Sequence, residues 1–143
     1  MPDGSCSFLM VGGVPVVTAP AEIDVTTAGQ LRAMIAAWAA RGHTTQVVDM
    51  TGTQFCDSAG LSVMVRAHKQ ALAAGGELRL VLPASGSLPR IFTVTGLDEW
   101  MPHFTGLEQA LAQARDGKVR PRQPRRSPGM RSSAERNNLI PEM

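Results

Sequence analysis

Apolar positions along this chain of 143 residues fall into short β-rich runs that alternate with stretches spaced three and four apart. Ser7 to Val11 and Val14 to Ala19 are two such runs, separated by Gly12-Gly13. A two-glycine connection allows the positive φ angles of a tight turn, so an antiparallel hairpin is predicted. Pro15 has no N–H and belongs at an unpaired edge or a bulge. After Ala21-Glu22-Ile23-Asp24, Thr27 with Gln30 three positions later has the form of a capping box. Leu31, Met34, Ile35 and Trp38 then mark an amphipathic helix ending near Arg41-Gly42.

Val47 to Met50 form the next strand, which passes through Thr51-Gly52-Thr53 into a second helix. Asp57 or Ser58 supplies its N-cap, and Leu61, Met64, Val65, His68 and Leu72 form one stripe along it. Ser62, Arg66, Lys69 and Gln70 are left facing water or a partner, and Gly75-Gly76 closes the helix. Leu78, Leu80 and Leu82 alternate with charged or smaller residues in a strand that ends at Pro83. A short helix over Ser87 to Val94 turns in Leu88, Ile91 and Phe92. A brief strand at Met101 to Phe104 precedes a last helix, Gly106 to Arg115, with Leu107, Ala110, Leu111 and Ala114 on one face. The predicted order is β-β-α-β-α-β-α-β-α, an α/β fold with helices packed on a mixed β-sheet.

Composition divides the chain into a folded domain, 1–115, and a tail, 116–143. The tail is rich in Pro and Arg and nearly free of apolar residues before Leu139-Ile140, so it is expected to be disordered. Residues 1–115 carry seven Lys/Arg against nine Asp/Glu, and the tail carries seven against three. A basic tail without aromatic residues fits a solubilising end better than a nucleic-acid or anionic-lipid arm, and no specific nucleic-acid binding is expected. Arg125-Arg126-Ser127-Pro128 and Arg131-Ser132-Ser133 also have the form of kinase-accessible sites. No apolar run approaches a membrane span, and the N-terminus has no basic cluster ahead of an apolar run. A cytoplasmic protein with reduced Cys6 and Cys56 is expected.

Candidate chemistry concentrates in Gln46 to Leu61, where a buried strand feeds a helix through a polar loop. In an α/β sheet such a loop lies at the carboxyl edge, where unpaired first-turn N–H groups project. Asp49 ends the strand and is expected to bond loop N–H groups. His43, His68 and His103 are scattered, with His68 expected as a hydrogen-bonded core residue, so they form neither a metal set nor a base for Ser58. Cys56 precedes Asp57, whose charge disfavours a thiolate. No phosphate-cradling glycine motif occurs, and no cofactor, metal or enzymatic activity is expected.

The turn A-E-I-D, the stretch V-V-D-M-T followed by F-C-D-S-A-G-L, the helix end A-A-G-G-E-L, and F-T-V-T-G-L together resemble the STAS domain (sulfate transporter and anti-sigma factor antagonist). They are most similar to its free-standing bacterial members, the anti-sigma factor antagonists, from about Phe8 to Arg115. The resemblance implies a STAS fold and a non-catalytic, partner-switching regulator of transcription. Its partner would be an anti-sigma factor that is also a GHKL-type serine kinase. Phosphorylation at the second helix start would switch it off, and a phosphatase would restore it.

The implied partner surface comprises Asp24, Asp57, Ser58, Ala59, Gly60, Ser62, Arg66 and Lys69, with Asp24 equally a candidate entry cap for the first helix. The family's usual phosphoacceptor precedes the glycine, where this chain has Ala59, which leaves Ser58 as the candidate acceptor. Phosphorylation at Ser58, a constitutively competent protein, and control elsewhere are all compatible with that substitution. The alternative function is a STAS accessory subunit of a membrane lipid or anion transport system.

Overall fold

The computed structural model describes residues 6–115, and the expected disorder of 116–143 lies outside the described residues. Gly12 and Gly13 take φ angles of 59° and 84°, so the predicted hairpin forms between β1 (Ser7–Val11) and β2 (Val14–Thr18). The next elements are β3 (Glu22–Ile23), α1 (Val25–Ala40), β4 (Gln46–Asp49), β5 (Phe55–Cys56) and α2 (Ser58–Ala73). The chain continues through β6 (Leu78–Val81), α3 (Ser87–Thr95), a 3-10 turn at Leu97–Glu99, β7 (His103–Phe104) and α4 (Leu107–Arg115).

The main sheet has the order β1-β2-β4-β6-β7, antiparallel between β1 and β2 and parallel elsewhere. Pro15 lies before the ladder to β4, which starts at Val16, so its missing N–H breaks no rung. β3 and β5, each two residues long, form a separate parallel pair that the sequence pattern does not predict.

Alternation along each strand divides the core in two. Val17, Val48, Leu78, Leu80 and Leu82 pack beneath α1, α2 and α3 with Leu31, Ile35, Met64, Leu88 and Phe92. Val14, Val16, Val47 and Val81 face α4 through Ala110 and Leu111. Because α4 covers the second face, Arg79 is buried rather than turned to water. Its guanidinium is ion-paired with Glu77 at 2.5 Å, donates to the Ala110 carbonyl at 3.5 Å, and lies over the Phe104 ring.

Three expectations are corrected. The first capping box is Asp24 with Thr27, not Thr27 with Gln30, because α1 starts one turn earlier. The Asp24 carboxylate accepts the Thr27 N–H at 3.0 Å, and Thr27 Oγ1 accepts the Asp24 N–H at 2.8 Å. In α2 the fully buried positions are Gly60, Met64 and His68, while Leu61 and Val65 are half-buried and Leu72 is 48% exposed. The stripe is rotated because α1 lies alongside α2 and takes up Val63 and Ala67 as well. The last strand is only His103–Phe104, since the 3-10 turn occupies the preceding segment and Met101 is buried beyond it.

His68 is the hydrogen-bonded core residue expected from its place on the stripe. Its Nδ1 accepts the Leu78 N–H at 3.1 Å, and Trp100 covers the ring edge to face at 4.9 Å. Burial lowers its pKa from 6.5 to about 4. The folded pKa is depressed below the unfolded one, so the unfolded chain binds the extra proton between these values. Stability is therefore full above about 6.5 and falls as pH drops toward 4, by up to about 1.4 kcal/mol per pH unit. Urea unfolding across that window should show the slope in the wild type, and His68→Gln should flatten it.

Candidate functional site

The short β3–β5 contact brings the starts of α1 and α2 together. Glu22 pairs with Phe55 and Ile23 with Cys56, and the Asp57 N–H continues the ladder to the Ile23 carbonyl at 3.0 Å. Upstream, the Gln54 N–H donates to the Ala21 carbonyl at 2.7 Å, and the Thr53 hydroxyl donates to the Pro20 carbonyl at 2.8 Å. The Ser87 hydroxyl at the start of α3 reaches the Gln54 carbonyl at 3.2 Å. The strands feeding this region run parallel through β2, β4 and β6, so the cluster sits at their carboxyl edge. Asp49 accepts the Thr51 N–H at 3.0 Å and the Thr51 hydroxyl at 2.8 Å, which fixes the loop and fits its structural role.

Each helix start carries an aspartate cap. Hydrogen bonds from the Thr27 N–H and hydroxyl hold the Asp24 carboxyl below its ordinary pKa. Asp57 is the N-cap of α2, and its carboxylate accepts from the Ala59 N–H at 3.0 Å and the Gly60 N–H at 3.2 Å. This resolves the sequence alternative: Ser58 is the first residue of the helix, exposed, and its side chain caps nothing.

Of the other predicted site residues, Ser62, Arg66 and Lys69 are exposed. Together with Ser58, Leu61 and Val65 they line a shallow groove along α2. Ala59 is half-buried and packs against the core. Gly60 is buried and cannot be part of an accessible surface. A Cβ there would lie 2.5 Å from Ile23 Cγ2 and 2.6 Å from Cys56 Sγ, so glycine is what lets α2 close on the β3–β5 pair.

The structure adds two apolar residues to this surface that sequence reasoning missed, Val25 at 74% exposure and Phe55 at 49%. Strand alternation could have flagged Phe55, since Cys56 next to it is buried, but a two-residue strand is too short to display a period. The Cys56 thiol is pushed up to about 12 by burial and then by the Asp57 charge, so a reactive thiolate is disfavoured. Burial also raises the pKa of Cys6, and both cysteines are free. His43 lies against Trp38, and the His103 ring meets the Asp98 carbonyl at 2.9 Å, so neither stands at the helix starts. Among the described residues, no group of His, Cys, Asp and Glu forms a metal site and no helix is long and apolar enough to cross a membrane.

A five-stranded mixed sheet with two capped helix starts pinned together at its carboxyl edge is the architecture of the STAS domain. That family matches residues 9–110, and this chain belongs to it. The chain is 30% identical over 108 residues to the anti-sigma-F factor antagonist RsfB of Mycobacterium tuberculosis, covering 75% of this chain and 86% of RsfB. The crystal structure of an anti-sigma factor antagonist from Mycobacterium paratuberculosis superposes with a TM-score of 0.70 at 29% identity, over 78% of this chain and 93% of that one. SpoIIAA in its unphosphorylated form shares the fold, with a TM-score of 0.66 at 24% identity, over 78% of this chain and 96% of SpoIIAA.

Three substitutions separate scaffold from surface. Gly60→Ala forces α2 off its seat and should cost about 1–3 kcal/mol in chemical denaturation. Asp57→Ala should cost about 1 kcal/mol through the lost cap, whereas Ser58→Ala should stay within about 0.5 kcal/mol of wild type.

Proposed function

We propose that this protein is an anti-sigma factor antagonist: a binding protein without catalytic chemistry that controls transcription by capturing an anti-sigma factor. The observation that carries the reading is the pairing of the two aspartate-capped helix starts, which groups exposed Asp24, Val25, Phe55 and Ser58 on one rigid surface. Its membership of the STAS family and its similarity to proteins named as anti-sigma factor antagonists support it. Val25 and Phe55 supply apolar anchors, and the Ser62, Arg66 and Lys69 side of α2 supplies polar and positively charged contacts.

The partner in this reading is a GHKL-type serine kinase, and Ser58 is the acceptor it modifies, with a phosphatase reversing the step. The local geometry defines how such a phosphate would act. Asp57 already holds the Ala59 and Gly60 N–H groups, so a phosphate on Ser58 has few free helix donors to recruit. It instead adds roughly two negative charges beside Asp57 on an exposed surface. That repels an acidic partner face and obstructs close apposition, while folding is little affected.

The test combines the full chain with candidate kinase-type anti-sigma factors and ATP, then measures binding by calorimetry and maps phosphate by mass spectrometry. Phosphate on Ser58, with Ser58→Glu weakening binding at least tenfold at nearly unchanged stability, is the expected outcome. Binding that survives Ser58→Glu unaltered refutes the placement of the surface. Binding with no phosphate at all indicates a constitutive antagonist, and no binding to any such factor favours the transporter-accessory role.

A further inference from the structure

The two edges of the main sheet are built differently. β7 is two residues long, follows Pro102 and carries His103, the short and polar form that discourages pairing. β1 is five residues long, reads Ser-Phe-Leu-Met-Val, and contains no charge, proline or bulge. Among the described residues no strand lies beyond it. Phe8, Leu9 and Met10 are 52%, 59% and 40% exposed, although the Phe8 ring already touches Trp38 of α1.

The hairpin register says which main-chain groups face outward. With a two-residue turn, Val11 and Val14 are the closing hydrogen-bonded pair, so Leu9 with Val16 and Ser7 with Thr18 are bonded as well. Phe8 and Met10 occupy the alternate, non-bonded positions opposite Val17 and Pro15. Their N–H and C=O groups therefore point away from β2 into the open edge.

We propose that β1 is a self-association edge, pairing antiparallel with β1 of a second copy of this chain about a twofold axis through Leu9. In that register Phe8 of each copy faces Met10 of the other, and these two residues supply every outward main-chain group the pairing needs. Leu9 meets Leu9 of the second copy on the axis. The strand is uncharged, so the twofold sets no like charges opposite one another.

The helices leave room for this arrangement. At about 4.8 Å per strand, the two β2 strands stand roughly 14 Å apart. α1 packs against β2, so the two α1 helices lie farther apart than the 8–10 Å of directly packed helices. Phe8, Met10 and Trp38 of both copies fill the space between them.

The apolar area involved is about 300 Å² per copy, taking a large side chain as roughly 150–250 Å². Twice that is well under a standard interface, the size of weak and transient contacts, and the dimer we propose is concentration-dependent, with a dissociation constant on the order of 10⁻⁴ M. A partner strand of another sequence would have to supply the same uncharged, alternating pattern, which a second copy has by construction.

Sedimentation equilibrium of the full chain tests the proposal, from about 10 µM to about 1 mM, a range spanning the expected constant. The apparent mass should climb from the 15.2 kDa of one chain toward twice that value. Over the same range, amide exchange should slow about fourfold at Phe8 and Met10, following the fall in monomer fraction, and remain unchanged at Leu9 and Val11, whose N–H groups are already bonded within the hairpin.

Leu9→Lys and Leu9→Glu, at an exposed position, should each abolish association with unchanged far-UV circular dichroism. An equimolar mixture of the two should restore it, because opposite charges then meet on the axis. A mass fixed at one chain overturns the proposal. So does a dimer with fast Phe8 and Met10 amides, or one that persists in either variant alone.

Discussion

The β3–β5 contact is two residues long on each side, yet the arrangement of the exposed surface depends on it. Its rungs hold the turn before α1 to the turn before α2, and the Asp57 N–H extends the ladder into the cap itself. Ile23 and Cys56 point inward from this pair, where they meet the face of Gly60. A helix start is normally free to fray, because its first N–H groups lack partners within the helix. Here both starts are capped by aspartate and tied to each other, so Asp24, Val25, Phe55 and Ser58 keep fixed relative positions. A preorganised surface of this kind loses less entropy on binding than one that must order itself.

The aspartates answer a local need before they serve any partner. A carboxylate at the N-cap satisfies orphan donors and lies at the positive end of the helix dipole. At Asp24 the Thr27 hydrogen bonds hold the carboxyl below its ordinary pKa, and at Asp57 the carboxylate satisfies the Ala59 and Gly60 N–H groups. What the surface gains is a strip that is acidic at the helix starts and basic about two to three turns along α2, at Arg66 and Lys69. The sheet beneath is rigid because its second face is closed by α4, where Arg79 is buried against Glu77, Phe104 and the Ala110 carbonyl.

Much of the scaffold was legible in the sequence because it repeats. The Gly12-Gly13 turn, the α1 positions Leu31 and Ile35, the α2 positions Met64 and His68, and the Leu78-Leu80-Leu82 strand each show their period over enough residues to identify them. What could not be read depends on neighbours distant in the chain. Arg79 looks like an outward residue until α4 is known to cover its face. Leu72 looks like part of the stripe until α1 is known to lie alongside α2. The β3–β5 pair has no period at all, so Phe55 within it, and Val25 at the start of α1, had no signature beyond being apolar. The Asp-Ser-Ala-Gly stretch located the start of α2, but did not separate its capping, exposed and packed positions.

That separation bears on the alanine at position 59. Successive residues at a helix start project in different directions, and here Ser58 is exposed while Ala59 is half-buried against the core. A hydroxyl at position 59 would sit where the helix closes on the sheet, next to the Asp57 carboxylate that already holds the Ala59 N–H. A phosphate there would lie nearer to both the packing and the cap. At Ser58 the same group would project into solvent, and its two negative charges would change the surface while leaving the Asp57 cap and the Gly60 contact in place. With Ala at 59, the hydroxyl available at this helix start is the exposed one at Ser58, and under the proposed function a phosphate there would act on binding with little effect on stability.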